Sequence, residues 1–90
     1  MWLFLVQNKE VAERLNHLNK LHRDMDEVFK ANSYSKASKK ISELEENVED
    51  MSEEDLKQIE GIGDAIASKI REYVETGSIE KIEELEKEAI

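Results

Sequence analysis

The chain has 90 residues, enough for one domain near the size at which a single hydrophobic core only just offsets the entropy lost on folding. It contains no cysteine, which excludes disulfides and thiolate metal sites and suits a reducing, intracellular setting. Apolar and charged residues each make up 39%, with no proline and three glycines, which disfavours a turn-rich β architecture and favours amphipathic helices; the formal net charge is −9.

The opening run Met1 to Val6 is apolar but too short to span a bilayer, and it lacks the charged start and cleavage site of an export signal. No membrane partner is expected. Residues 1–8 read as a short hydrophobic segment that either packs Trp2, Phe4 or Leu5 onto the helices or offers them to a partner. The remaining residues, 9–90, read as one helical domain.

From Lys9 to Lys30 the apolar residues Val11, Leu15, Leu18, Leu21, Met25, Val28 and Phe29 recur every three or four positions, which predicts a first long helix. His17 and His22, five apart on it, do not share the face that i, i+4 metal pairs use and read as surface or boundary residues. Asp24, Asp26 and Glu27 read as a solvated face. Asn32 and Ser33 interrupt the pattern, and Tyr34, Ala37, Ile41, Leu44 and Val48 predict a second helix. Charge is segregated here. Val28 to Ser42 carries Lys30, Lys36, Lys39 and Lys40 and no acid, whereas Glu43 to Asp55 carries eight acids and no base.

Ser52 followed by Glu53, Glu54 and Asp55 is a helix start, leading into Leu56 and Ile59. Gly61 and Gly63 break that helix. A fourth helix from Asp64 presents Ile66, Ile70, Tyr73 and Val74 until Gly77 caps it, and Ser78 is expected to cap a fifth built on Ile79, Ile82 and Leu85. The expected architecture is therefore all-α, a compact bundle of four to five helices.

The segment Leu56 to Ile70 resembles the helix-hairpin-helix motif: an apolar-spaced helix, then Gly61-Ile62-Gly63, then a helix with Ala67 and Ile70 at its small and β-branched positions. The motif would occupy residues 53–76. Two glycines permit a tight turn with positive φ and a close backbone approach, Ile62 can plug into the core, and the N–H groups from Gly63 through Asp64, Ala65 and Ile66 form an anion site at a helix start. Contact of that kind is to the nucleic-acid backbone and carries little sequence preference. A dinucleotide fingerprint is excluded, because Ile66 stands where its third small residue belongs and no strand precedes. The plain alternative is a helix connection whose glycines serve only geometry.

Residues from about Lys30 to Leu85 also resemble the amino-terminal lyase domain of family X (beta-like) DNA polymerases. The match runs through Lys30-Ala31-Asn32-Ser33-Tyr34-Ser35-Lys36-Ala37-Ser38, the hairpin, and Thr76-Gly77-Ser78-Ile79-Glu80-Lys81-Ile82. The resemblance implies a helical domain of base excision repair that binds the 5′-phosphate side of gapped or single-stranded DNA and works with a polymerase or another repair protein. It puts Lys69 at the Schiff-base position of a 5′-deoxyribose phosphate lyase, Lys30 and Tyr34 in the phosphate pocket, and Lys57 and Lys81 at further basic positions. It also implies a monovalent cation, Na+ or K+, on the carbonyls of Lys57, Ile59 and Ile62. Lys36 and Lys39 are further candidate charges. The chain departs from the family at Ala65 (a pocket lysine), Phe29 (a histidine), Ser35 (an arginine) and Ser68 (an acid supporting the lyase). These departures leave three roles open: a DNA-binding module, an active lyase, and a protein-interaction domain in which the acidic Glu43 to Asp55 stretch meets a basic partner.

Overall fold

The computed structural model describes residues 6–88. They form five α-helices, α1 (Asn8–Asp24), α2 (Val28–Glu43), α3 (Glu53–Lys57), α4 (Asp64–Thr76) and α5 (Glu80–Glu88), with a 3-10 turn at Val48–Asp50 between α2 and α3. No strand occurs among the described residues, so the all-α expectation holds. The expected roles of Trp2, Phe4 and Leu5 lie outside the described residues. Val6 packs against the core.

The first helix stops six residues earlier than the apolar spacing predicts. Asp26 adopts a left-handed φ of 62°, and the Glu27 N–H closes the turn on the His22 carbonyl at 2.8 Å. Val28 and Phe29, counted as core positions of one long helix, are instead 52% and 89% exposed. The chain reverses because Ala31, Tyr34, Ala37 and Ile41 bury their own stripe against Val11, Leu15 and Leu18 of α1. Asn32 and Ser33 therefore lie inside α2 and do not break it. Asn32 accepts a hydrogen bond from Arg23 at 3.2 Å, Ser33 returns its hydroxyl to the Phe29 carbonyl at 3.2 Å, and the Ser38 hydroxyl donates to the Ala12 carbonyl at 2.7 Å across the α1/α2 contact.

α2 also ends before the predicted Val48. Glu43, Glu45 and Glu46 would crowd negative charge at a helix C-terminus, where the dipole disfavours it. A tertiary clasp takes over. The Asn8 side-chain amide donates to the carbonyls of Leu44 (3.3 Å) and Glu46 (2.7 Å), and its oxygen accepts the Val48 N–H at 2.9 Å. Val48 reaches the core through the 3-10 turn. Arg71 of α4 fastens the next stretch by donating to the carbonyls of Glu49 (3.2 Å) and Met51 (2.9 Å).

Ser52 caps α3 as expected, its hydroxyl accepting the Asp55 N–H at 3.1 Å while the Asp55 carboxylate accepts the Ser52 N–H at 3.3 Å. Gly77 ends α4 with φ 83°. Ser78 does not cap α5: the helix begins at Glu80, whose N–H donates to the Glu72 carboxylate of α4 at 2.8 Å. Ile79, Ile82 and Leu85 then close the same core from below.

Two outcomes follow from these contacts. Asn8→Ala removes three hydrogen bonds at once and is expected to lower unfolding stability by roughly 2–3 kcal/mol in urea titrations, at about 1 kcal/mol per bond. Asn8→Asp, which keeps only the acceptor, should fall between, and a loss under about 0.5 kcal/mol for Asn8→Ala would deny the clasp a structural role. At the α1–α2 turn, the hydrogen bond from His22, aided by the charge of Lys30, holds the Glu27 carboxyl below the usual carboxylate range against the opposing effect of burial. Its contribution is thus present above the unfolded carboxylate pKa of about 4.3 and is lost as pH falls through the lower folded value. The stability gap between the wild type and Glu27→Gln should be widest near neutrality and close on acidification; a gap unchanged down to pH 3 would contradict the pairing.

Candidate functional site

The hairpin is built by two short-range bonds and one buried side chain. α3 ends at Lys57, the Ile59 N–H donates to the Leu56 carbonyl at 3.1 Å, and the Ile62 N–H donates to the Ile59 carbonyl at 3.0 Å. Gly61 makes the turn with φ 92°, a conformation that suits glycine. Ile62 is 4% exposed and joins the core. Gly63 differs from expectation: its φ of −96° and ψ of −170° are ordinary extended backbone, and a Cβ there would meet nothing within 4 Å. Neither the fold's sterics nor its backbone requires a glycine at 63.

Gly63 is the N-cap of α4, and no side chain caps that helix. The Ala67 N–H makes the first bond of the helix, to the Gly63 carbonyl at 2.9 Å, so the N–H groups of Asp64, Ala65 and Ile66 lie ahead of it with the positive end of the dipole. Those residues, with Gly61 and Gly63, form one wall of a cleft of about 510 Å³. Lys30, Ser33 and Tyr34 of α2 form the facing wall, and Lys69 of α4 and Lys81 of α5 complete it.

Nine of the residues singled out in the sequence therefore line one cavity: Lys30, Tyr34, Gly61, Gly63, Asp64, Ala65, Ile66, Lys69 and Lys81. Ile62 stands behind it in the core. Lys36 and Lys39 are exposed on α2 and do not line the cleft. Lys57 is engaged elsewhere, 3.1 Å from Glu54 and 3.3 Å from Asp64, and its hydrogen bonds to those carboxylates push its amine pKa up. Lys30 lies 3.6 Å from Glu27, and Lys81 lies 3.8 Å from Glu84. Lys69 makes no ion pair among the described residues, and burial, then the charges of Lys81 and Lys30, lower its pKa against Glu72 and Glu84. The neighbouring cation that lowers it most is Lys81, on α5. Of the three carbonyls considered for a monovalent cation, that of Ile59 already accepts the Ile62 N–H, which leaves it one lone pair.

One cluster at this cleft was missed. His22 is 2% exposed, not a surface residue, and its Nδ1 lies 2.7 Å from the Glu27 carboxylate. Its ring stacks on Tyr34 with centroids 5.3 Å apart and planes within 2°. Glu27 is consequently a partner of the cleft wall and not part of a solvated face. Burial also pushes the Tyr34 phenol up, so it stays a neutral donor and acceptor. The available signal was Asp24-Met25-Asp26-Glu27, acids that suit a helix start and would have placed His22 across a turn from Glu27.

A second cleft, of about 680 Å³, lies beside the 3-10 turn and is lined by Glu49, Asp50, Glu53, Glu72 and Glu75 around Arg71. Arg71 is engaged by Glu75 at 3.1 Å and by two carbonyls, so this face is acidic and repels anions. No described helix is long and apolar enough to cross a membrane.

No curated protein and no solved structure matches the chain. A family model described as a helix-hairpin-helix domain matches residues 6–79, the stretch that runs from the residues before α1 through the hairpin and all of α4. With most of its length under that match and the hairpin formed between α3 and α4, this chain belongs to the helix-hairpin-helix domain family.

Proposed function

We propose that the chain is an intracellular DNA-binding module that holds a backbone phosphate, with preference for the 5′-phosphate side of gapped or single-stranded DNA and little regard for sequence. The observation that carries this is the convergence of three lysines, Lys30, Lys69 and Lys81, with the uncapped start of α4 on one cleft in a protein of net charge −9. N–H groups and lysine ammoniums address phosphate oxygens and leave base edges unread. A Na+ or K+ ion on the carbonyls of Lys57, Ile59 and Ile62 belongs to the same proposal, as does a polymerase or another repair protein as partner. The ion would add positive charge beside the phosphate.

A second reading, 5′-deoxyribose phosphate lyase, rests on the one lysine of the cleft whose pKa is lowered. The free Lys69 amine would attack the aldehyde carbon of the open-chain sugar and lose water to give an imine. Loss of the C2′ proton would then break the C3′–O bond, the phosphate leaving with the electron pair, and hydrolysis would return the amine. Ala65 and Ser68, which replace a lysine and an acid of the resembling family, weigh toward binding without turnover.

Fluorescence anisotropy with 5′-phosphorylated oligonucleotides tests the binding. Three lysines on a single strand predict a slope of log affinity against log salt of roughly −2, at about −0.7 per neutralised phosphate. Gly63→Val adds a Cβ that meets nothing in the fold and, with helix content checked by circular dichroism, should weaken binding at least about tenfold by standing where the phosphate approaches. Asp64→Asn removes an acid from the cleft rim and one of the two carboxylate partners of Lys57, and should tighten binding roughly threefold to tenfold at low salt. If neither variant changes affinity, the hairpin is not the binding element, and a basic partner on the acidic face becomes the better account. For the lyase, borohydride should trap an adduct on gapped DNA bearing a 5′-deoxyribose phosphate that disappears in Lys69→Ala. An adduct that is absent or survives the substitution rejects Lys69 as the nucleophile.

A further inference from the structure

His22, near the end of α1, is the only buried histidine, lysine, arginine or carboxylate among the described residues. Burying a group that can carry charge costs stability unless its polar atoms are satisfied, and only one of the two ring nitrogens is. Nδ1 lies 2.7 Å from the Glu27 carboxylate, which can only accept, so Nδ1 carries a proton. Nε2 has no hydrogen-bond partner among the described residues. Every fully enclosed side-chain nitrogen or oxygen there has one, so Nε2 keeps an opening, and the cavity that His22 lines is the hairpin cleft. Tyr34, stacked on the face of the ring, helps to hold it in that pose.

A neutral imidazole with its proton on Nδ1 offers the cleft a lone pair, which repels a phosphate oxygen, whereas the imidazolium offers an N–H and a positive charge. The groups around the ring decide between the two forms. Glu27 at Nδ1 and Asp64 on the rim favour the charged ring, Lys30, Lys69 and Lys81 of the cleft oppose it, and the neutral Tyr34 adds no charge. A phosphate monoester shifts that balance, because it brings nearly two negative charges where a phosphodiester brings one. We propose that His22 is a phosphate contact of the hairpin cleft, taking up a proton from solvent at Nε2 as a phosphate monoester enters and donating that N–H to a phosphate oxygen. This rests on the phosphate-binding reading and adds two properties to it, a preference for a terminal over an internal phosphate and a dependence on pH. Glu27 is the positioning residue, since its carboxylate orients the ring and offsets its charge.

Anisotropy between about pH 6 and 8, with a short thymidine strand ending in a 5′-phosphate or a 5′-hydroxyl, tests this. Wild-type affinity for the phosphorylated strand should fall roughly fivefold to tenfold across that range, through uptake of up to one proton, while affinity for the hydroxyl strand stays level. The direction is diagnostic. The ester's own second ionisation, near about pH 6, adds negative charge as pH rises and would tighten binding to lysines alone. The fall should vanish in His22→Gln, with helix content checked by circular dichroism, and should begin at lower pH in Glu27→Gln, which keeps the ring. Nitrogen-15 NMR of the imidazoles reads the same proton without any substitution. The pH at which the His22 ring titrates should rise in the presence of the phosphorylated strand, while that of His17, paired with Glu86 at 3.2 Å, stays in place. A fall that survives His22→Gln would assign the proton to Lys69, and a His22 titration that the strand leaves unmoved would deny the contact. Either result overturns the role of His22 and leaves the phosphate reading standing. If the phosphorylated strand binds no more tightly than the hydroxyl strand at any pH, both fall.

Discussion

The site depends on where Ile62 goes. Between a left-handed Gly61 and an extended Gly63, Ile62 is pulled into the core, and this anchors the turn and fixes the point at which α4 begins. The two helix starts on either side of the hairpin make an instructive contrast. α3 is closed by Ser52 and Asp55, which satisfy each other's backbone N–H groups, whereas α4 has a glycine at its N-cap and no oxygen to offer its own amides. A serine or aspartate at position 63 would spend those donors internally. Glycine there leaves the first-turn N–H groups of α4 without a side-chain acceptor of their own, and a Cβ at that position would meet nothing in the fold.

Electrostatics then has to overcome the overall charge. Glu49, Asp50 and Glu53 of the acidic stretch line the second cleft, where Arg71 ties their backbone to α4, and the lysines of α2, α4 and α5 line the hairpin cleft. The separation is incomplete. Asp64 stands on the rim of the cleft and occupies Lys57, and Glu27 and Glu84 lie within 4 Å of Lys30 and Lys81. On the proposed reading, a phosphate in this cleft would be held loosely and in a salt-dependent way, and burial lowers the pKa of the Lys69 amine.

Much of the fold was legible because it is written in local chemistry. Helical spacing found every α-helix, Ser52 and Gly77 marked their termini, and Gly61-Ile62-Gly63 marked the hairpin. The misplaced boundaries are those set by tertiary contacts. The α1–α2 turn contains neither glycine nor proline and rests on the left-handed Asp26, so the apolar spacing ran through it, and Phe29 was counted as core. The end of α2 is decided by Asn8, some 36 residues away along the chain. The same cause hid His22, whose partner Glu27 lies across that unread turn. At the site, residue types and the family resemblance picked out most of the cleft lining, whereas only packing could show that Lys57 is held by two carboxylates and that Lys36 and Lys39 do not line the cleft.

Nitrogen-15 NMR observes directly the phosphate contact proposed for the amides at the start of α4. Titration of the full chain at low salt with a short single strand, once with and once without a 5′-phosphate, should shift the resonances of Gly63, Asp64, Ala65 and Ile66 first and most strongly for the phosphorylated strand, with those of α3 little moved. Hairpin amides that stay in place in excess phosphorylated strand, or shift equally without the phosphate, would contradict it.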